Sequence, residues 1–188
     1  MLIFTMRLHL LIIFTLLGAL TAVAQSPPPK KAPADVMREI RLKVLNTPAS
    51  QMGRKPTDEY PHVDGLIMDW PVEDATVSLM ASSVGDGSIY TTGNFGVFGG
   101  IQYENVRSEA KSLVKLGEKY YSSATPTKEF PYPQKGHIRF YLMCYDGVRV
   151  IDADASSLSG PNAKYSDLFG EAQRMISALR QIAQEQKK

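Results

Sequence analysis

The chain has 188 residues and carries 21 Lys and Arg residues against 19 Asp and Glu residues, so its formal net charge is +2. Charges this evenly balanced exclude the strong field by which basic proteins attract nucleic acid or an anionic membrane. A chain of this length supports one domain with one sizeable core, and its one cysteine, Cys144, excludes an internal disulfide.

The first 24 residues have the pattern of a signal peptide. Arg7 supplies the positive charge, LLIIFTLL at 10–17 supplies the apolar stretch, and Ala-Val-Ala at 22–24 supplies a small-residue cleavage site. We therefore expect residues 1–24 to be removed from an exported protein, periplasmic or secreted, whose mature chain begins at Gln25.

The alternative is that residues 8–24 remain attached as a membrane anchor and display the domain at the membrane. The apolar run is interrupted by Thr15 and Gly18 and is short for a span, which needs about 20 residues. Met1 and Met6 are equally good starts, since the residues between them add no charge.

Residues 25–62 are predicted to form a Pro-rich linker and an N-terminal helix arm. QSPPPKKAPA at 25–34 is typical of an extended, solvated linker. DVMREIRLKVLN at 35–46 has helical periodicity, with Asp35 at its start as a cap. The hydrophilic, proline-containing stretch that follows is longer than most connections inside compact domains. We therefore expect the helix to be a detachable arm outside the core.

Residues 63–188 are predicted to form one domain that begins with a three-stranded meander. GLIMDW (65–70) and ATVSLMAS (75–82) read as strands, and SIYTT (88–92) returns after the GDG turn at 85–87. Leu66, Met68 and Trp70 are predicted to share one face of the first strand, and Val77, Leu79 and Ala81 are predicted to share one side of the second.

The glycine-rich stretch TTGNFGVFGGIQYENV (91–106) joins this meander to a helix predicted at 104–121. A dinucleotide site needs G-x-G-x-x-G after the first strand of a parallel βαβ unit. Here the spacing is G-x-x-G-x-x-G-G, and antiparallel hairpins lie on both sides. We therefore interpret the stretch as a sheet-to-helix corner that needs glycine for its backbone angles.

The second half of the domain is predicted to hold a β-hairpin and a final helix. HIRFYLMCYDGVRVIDAD (137–154) contains two β-rich runs around Asp146-Gly147, the preferred pair for a two-residue turn. That turn predicts the pairs Tyr145 with Val148, Met143 with Val150 and Leu142 with Ile151. Residues 125–136 are predicted to be a loop, and the last helix begins near Ser166.

The predicted fold class is therefore α+β. It consists of a mostly antiparallel five-stranded sheet (three-stranded meander, helix, β-hairpin, helix) with helices packed on it, plus an N-terminal helix.

Several segments, in this order, resemble a family of small bacterial proteins: GLIMDW, ATVSLMASSVGDGSIYTTGNFGVFGG with ENVRSEAKSLV, HIRFYLMCYDGVRVIDAD and SDLFGEAQRMISALR. The family shows a strand pair closed by Asp-Gly, a SLYxSxGGGxxGG segment that leads into a helix, and a VRFYLLTYDG strand. The resemblance covers roughly residues 65–180 and implies no activity. Asn94 and Phe95 stand where the family has glycines. The layering is also similar, at fold level alone, to roadblock and longin domains, which are adaptor modules.

The sequence predicts no metal and no cofactor. Outside the signal segment the histidines are His62 and His137, which lie in different elements. Asp152-x-Asp154 resembles the start of a calcium loop, but the sixth and twelfth positions hold Ser and Ala, so the EF-hand pattern fails.

No catalytic residues are assigned from the sequence. A G-x-S-x-G elbow is missing, and Cys144 lies in an apolar run that favours a buried small side chain. Paired carboxylates stay open as an alternative, with Glu73, Asp74 and Asp86 near strand ends. A small hydrolase or ligand-binding protein is therefore the second hypothesis for function.

The first hypothesis is a non-enzymatic domain that binds a protein partner or a second copy of itself, and neither nucleic acid nor, once the signal segment is cleaved, a membrane. Aromatic residues at strand ends and in loops favour it, because loops carry function and aromatics favour interfaces. The predicted interaction surface consists of Trp70, Phe95, Phe98 and Tyr103. The alternative is that these side chains cover the edges of a small core.

Overall fold

The computed structural model describes residues 32–93, 95–158 and 163–185. Within these residues the helices are α1 (Pro33–Asn46), α2 (Glu104–Glu118) and α3 (Ser166–Glu185). The strands are β1 (Val63–Val72), β2 (Ala75–Ser82), β3 (Gly87–Thr91), β4 (Gly96–Val97), β5 (Thr125–Thr127), β6 (His137–Cys144) and β7 (Gly147–Asp154). Short 3-10 helices lie at Ala49–Met52, Gly100–Gln102 and Ala155–Leu158.

The signal peptide predicted at 1–24, the alternative anchor at 8–24 and the first residues of the linker, 25–31, lie outside the described residues. None of the helices in the described part is long and apolar enough to cross a lipid bilayer.

The seven strands of the described ranges form one sheet in the order β4-β3-β2-β1-β6-β7-β5, and every neighbouring pair is antiparallel. This arrangement confirms the α+β class with an antiparallel sheet. The predicted number of five strands is wrong, because β4 and β5 extend the sheet at its two edges. Both strands are too short to show an alternating pattern, and β5 contains Pro126, which sheets tolerate chiefly at an edge.

The predicted register of the β6–β7 hairpin is also wrong. Cys144 pairs with Gly147 and Met143 with Val148, so the two turn residues are Tyr145 and Asp146. The Tyr145 N–H donates to the carbonyl of His62 at 3.0 Å, which keeps Tyr145 beside the start of β1. Gly147 begins β7 with φ +131°, far from the angle that the second residue of a type I′ turn adopts.

Helices α2 and α3 cover one face of the sheet, which we call the first face, and the main core lies between them and the strands. Of the side chains predicted to share a strand face, Leu66, Met68, Leu79 and Ala81 are buried in this core, while Trp70 and Val77 are half-buried and pack against it. Because each buried large aliphatic side chain contributes about 1.5–3 kcal/mol, this layer supplies most of the hydrophobic stabilisation.

Helix α1, which we expected to be a detachable arm, packs on the opposite face, which we call the second face. Leu45 of this helix forms a small buried cluster with Ile67, Tyr141 and Met143. Arg41 of the same helix is only 1% exposed, and its guanidinium lies 5.1 Å from the ring centre of Tyr141. The helix is therefore held by a few apolar contacts and one buried cation.

Arg41 pairs with Asp69 of β1, whose side chain is fully buried in the middle of the sheet. Arg41 donates to Oδ2 of Asp69 from Nε at 2.8 Å and from Nη2 at 2.5 Å, and the Ser78 hydroxyl donates to Oδ1 at 2.6 Å. Burial raises the pKa of the Asp69 carboxyl, and the hydrogen bonds from Arg41 and Ser78 oppose that rise. The forked geometry is that of a charged pair.

The segment between β5 and β6 also lies on the second face and is held through its carbonyl groups. Arg41 Nη1 donates to the carbonyl of Phe130 at 2.8 Å. The Tyr141 hydroxyl and Arg139 Nη1 both donate to the carbonyl of Pro131, at 2.6 and 3.1 Å. The ring of Tyr132 covers the Arg41 guanidinium, with Cζ 4.5 Å from the ring centre. One arginine thus joins α1, β1 and this loop.

We predict that Arg41→Met lowers the free energy of unfolding by about 3–5 kcal/mol, because it leaves the Asp69 carboxylate buried without its cation. The double variant Arg41→Met/Asp69→Leu should lose clearly less, since it removes both charges. Urea unfolding followed by circular dichroism measures both. Arg38→Met, on the exposed side of α1, is the matched control and should change stability by no more than about 0.5 kcal/mol. A double variant no more stable than Arg41→Met would contradict this account of the pair.

Candidate functional site

The glycine-rich stretch forms the corner that connects the sheet to α2, as predicted. The chain runs from β4 through the 3-10 helix at Gly100–Gln102 directly into α2. Phe95, Phe98 and Ile101 in this stretch are 40%, 49% and 42% exposed. In the described part of the chain these three are half of the exposed large hydrophobic residues; the others are Met52, Val72 and Val84. We call Phe95, Phe98 and Ile101 the aromatic corner.

Two glycines give the corner its shape. Gly99 adopts φ +73°, a left-handed backbone angle that other residues rarely take. At Gly100 there is no room for a side chain, because a Cβ would lie 2.5 Å from Val106 Cγ1 and 2.8 Å from the carbonyl oxygen of Gly87. The chain therefore turns sharply and packs closely on the first turn of α2, which fixes the corner against the core.

Phe98 is positioned by Tyr90 of β3. The two rings stack with their centres 5.8 Å apart at an interplanar angle of 14°. Tyr90 is 1% exposed, and its hydroxyl has no hydrogen-bond partner among the described residues. Asp69, Ser78 and Tyr90 are directly opposed on β1, β2 and β3 and form a row across the sheet. Phe98 stacks on the last residue of this row, whose first residue belongs to the buried ion pair.

The corner carries no charge of its own. Residues 87–103 contain no Asp, Glu, Lys, Arg or His. The nearest charged side chains along the helix are those of Glu104 and Arg107, which pair with each other. Arg107 also donates to the carbonyl of Ile101 at 3.0 Å, which ties the 3-10 helix to α2.

The other two residues of the predicted interaction surface are placed elsewhere. Trp70 is half-buried and packs edge-on against Phe169 of α3, with ring centres 5.5 Å apart. Tyr103 is half-buried against the main core at the start of α2. Ile101 was missed by the sequence reasoning, because an aliphatic residue just before a helix resembles part of the helix's own buried stripe.

Of the carboxylates left open as catalytic candidates, Asp86 lies far from the other two, which are neighbours in one turn. Glu73 and Asp74 form the exposed turn between β1 and β2, and Asp86 follows the far end of β2. Strands rise about 3.3 Å per residue, so the eight residues of β2 separate these groups by roughly 25 Å. A glycosidase needs its two carboxyl groups within about 10 Å of each other.

Each described histidine pairs with a carboxylate that also supports a strand. The His62 ring lies 3.1 Å from Glu118, which accepts the backbone N–H groups of His62 and Val63. The His137 ring lies 2.8 Å from Asp152, which also accepts from Arg139. Although partial burial opposes it, these partners lower the pKa of Asp152. Among the described residues, no group of three or more His, Cys, Asp or Glu side chains could hold a metal ion.

A small cleft lies between the end of α1 and the β6–β7 turn. It has a volume of about 290 Å³, at the lower limit of ligand pockets. Its walls include Leu45, Pro48, Met143 and Cys144, so it is mainly apolar. Cys144 is 7% exposed, and burial raises the pKa of its thiol to about 12. The thiol is therefore protonated at neutral pH and is a poor nucleophile.

We predict that Cys144 in the native protein reacts with a thiol reagent such as DTNB at pH 8 on the order of a thousandfold more slowly than in the unfolded chain, whose thiol has a pKa near 8.5. Absorbance at 412 nm with and without denaturant measures the two rates. Equal rates would show that the cleft exposes a reactive thiolate.

We predict that Gly100→Ala destabilises the protein by about 1–3 kcal/mol, because the added methyl group overlaps Val106 and the backbone of Gly87. Gly170→Ala is the matched control: a Cβ there meets no atom within 4 Å, and Gly170 lies inside α3. This control should raise stability by about 0.5–1 kcal/mol. Thermal unfolding of both variants tests the close packing of the corner. A neutral Gly100→Ala would contradict it.

Comparisons with models of known protein families, with curated proteins and with solved structures give no match to the chain. The resemblance to small bacterial proteins and to roadblock and longin domains therefore stays a prediction. What the protein does has to be inferred from its own residues and their geometry.

Proposed function

We propose that the protein is an exported, non-enzymatic domain that binds another protein, or a second copy of itself, through the aromatic corner. The observation that carries this proposal is the exposure of Phe95, Phe98 and Ile101 within seven residues of a corner fixed by glycines. Trp70 and Tyr103 pack against the main core and are not proposed as contact residues.

The physical argument starts from the cost of leaving these side chains in water. Burying apolar surface contributes about 25 cal/mol per Å², and a stable monomer gains nothing from keeping two phenylalanines partly exposed three positions apart in the chain. The corner does not need them to close the core, because Val97 between them is buried and already does so. The exposed apolar surface of Phe95 and Phe98 is therefore available to bind a partner protein.

The rigidity of the corner strengthens the argument. Binding costs about 0.5–1.5 kcal/mol for each flexible side chain that becomes ordered. Phe98 already stacks on Tyr90, and the backbone around it is held by Gly99, Gly100 and the Arg107 contact, so little further ordering is needed. Aromatic side chains held in this way are the usual centres of protein interfaces.

The second hypothesis, a small hydrolase or ligand-binding protein, has weaker support. Asp86 lies at the opposite end of β2 from Glu73 and Asp74, and each described histidine is engaged with a carboxylate. The small cleft beside Cys144 offers mainly apolar contacts.

Site-specific photo-crosslinking in cells that produce the chain tests the proposal. A photoreactive amino acid at position 98 should give covalent adducts with another protein or with a second copy. The matched control places the same amino acid at Val84, which is 46% exposed but lies outside the corner. Phe95→Ala should lower the adduct yield about tenfold, as removal of a central interface residue does.

Phe95→Ala should lower the melting temperature by only a few degrees, since the side chain is 40% exposed and lies outside the main core. If position 98 gives no adducts, or gives the same adducts as position 84, the corner is not an interaction site.

A further inference from the structure

We propose that the aromatic corner is occupied by the corner of a second copy of this chain, through antiparallel pairing of the two β4 strands. This inference rests on the proposed function and specifies the partner. It starts from the backbone of β4, which lies at one edge of the sheet.

The hydrogen-bonding groups of Gly96 point away from the sheet. The Thr91 N–H donates to the Phe95 carbonyl at 2.9 Å, so Thr91 and Phe95 form a hydrogen-bonded pair. In an antiparallel ladder such pairs alternate with pairs that make no bonds to each other. The next pair, Tyr90 with Gly96, is therefore of the second kind. The backbone N–H and C=O of Gly96 therefore face the open edge of the sheet, where they could bond an added strand.

The two edges of the sheet are built differently. The β5 edge carries Pro126, which has no N–H to offer, and is flanked by the charged residues Lys128 and Glu129. Prolines and charges of this kind block strand addition. The β4 edge has neither: its residues are Phe95, Gly96, Val97 and Phe98. An unprotected, apolar edge is a template for pairing with another strand.

The edge is also complementary to itself. A two-fold axis beside Gly96 places Gly96 of one copy opposite Gly96 of the other, and Phe95 of each copy opposite Val97 of the other. The two glycines then exchange both of their hydrogen bonds, and no Cβ atoms meet at the axis. Because residues 87–103 are uncharged, the paired strands themselves bring no like charges together. The charged side chains next to the corner, Glu104 and Arg107, pair with each other.

Size-exclusion chromatography with light scattering on the purified full chain tests this inference. We expect a mass of two chains that falls to one on dilution. Gly96→Pro removes an N–H that the fold itself does not use, and in a symmetric dimer it removes one hydrogen bond from each copy. It should weaken association by about tenfold or more.

Further variants make the outcome decisive. Gly96→Ala keeps the N–H but sets a Cβ 2.9 Å from Phe98 Cε2, so it should weaken association less than Gly96→Pro does. Phe95→Lys, which sets like charges near the axis, should be monomeric. Thr125→Lys at the opposite edge is the matched control and should leave the dimer intact. Circular dichroism verifies that each variant is folded.

A wild-type mass of one chain at the highest soluble concentration would overturn the inference, as would a Gly96→Pro variant that is folded and dimerises as strongly as the wild type. A monomer whose position 98 still forms photo-adducts with a different protein would overturn the pairing of copies and leave the proposed function standing. A monomer without such adducts would overturn both.

Discussion

The buried pair of Arg41 and Asp69 determines how the second face of the sheet is closed. A carboxylate in the middle of a sheet, with no exposure to water, is tolerated only if a cation and hydrogen-bond donors reach it. Ser78 supplies one donor from the neighbouring strand. Arg139 stands opposite Asp69 on β6 but donates to Asp152, so the guanidinium that bonds Asp69 comes from outside the sheet. Helix α1 brings it, and the same guanidinium fixes the Phe130 carbonyl of the loop before β6. The pair thus specifies a helix position and a loop position that a few apolar contacts alone would define poorly.

The influence of this pair extends along the sheet to the corner. Asp69, Ser78 and Tyr90 are directly opposed on three adjacent strands, so the polar row ends on a buried aromatic ring. The Tyr90 ring stacks on Phe98, and the close packing of Gly100 fixes the following turn against α2. The exposed phenylalanine is therefore supported from both faces: by the polar row on one side and by the helical core on the other. An apolar side chain in water that is fixed from two sides differs physically from one on a loose loop, because it loses little entropy when a partner covers it.

Sequence patterns predicted the parts of the fold in which apolar residues repeat regularly, such as Leu66, Met68 and Leu79 in the meander. They missed β4 and β5 because two or three residues cannot display a period. They misplaced the turn of the last hairpin, where the contact of Tyr145 with His62 outweighed the local preference of Asp-Gly. The packing of α1 was missed because Arg41 and Asp69 are charged and resemble solvent-facing positions. At the corner, the exposure of Phe95 and Phe98 agrees with their position between strand and helix, whereas Trp70 is half-buried because a strand end can still face the core.

The central position of β1 has a consequence for how the chain folds. Of its two neighbours, β2 follows at once, but β6 is separated from it by β2 to β5 and by α2. During synthesis β1 can pair on one side early, and its other edge must wait until most of the domain has emerged. Folds closed by such late, long-range pairing tend to fold slowly, and their intermediates expose unpaired edges. Until β6 has been made, the second edge of β1 keeps its N–H and C=O groups unpaired, and such an edge is a template for pairing with other chains.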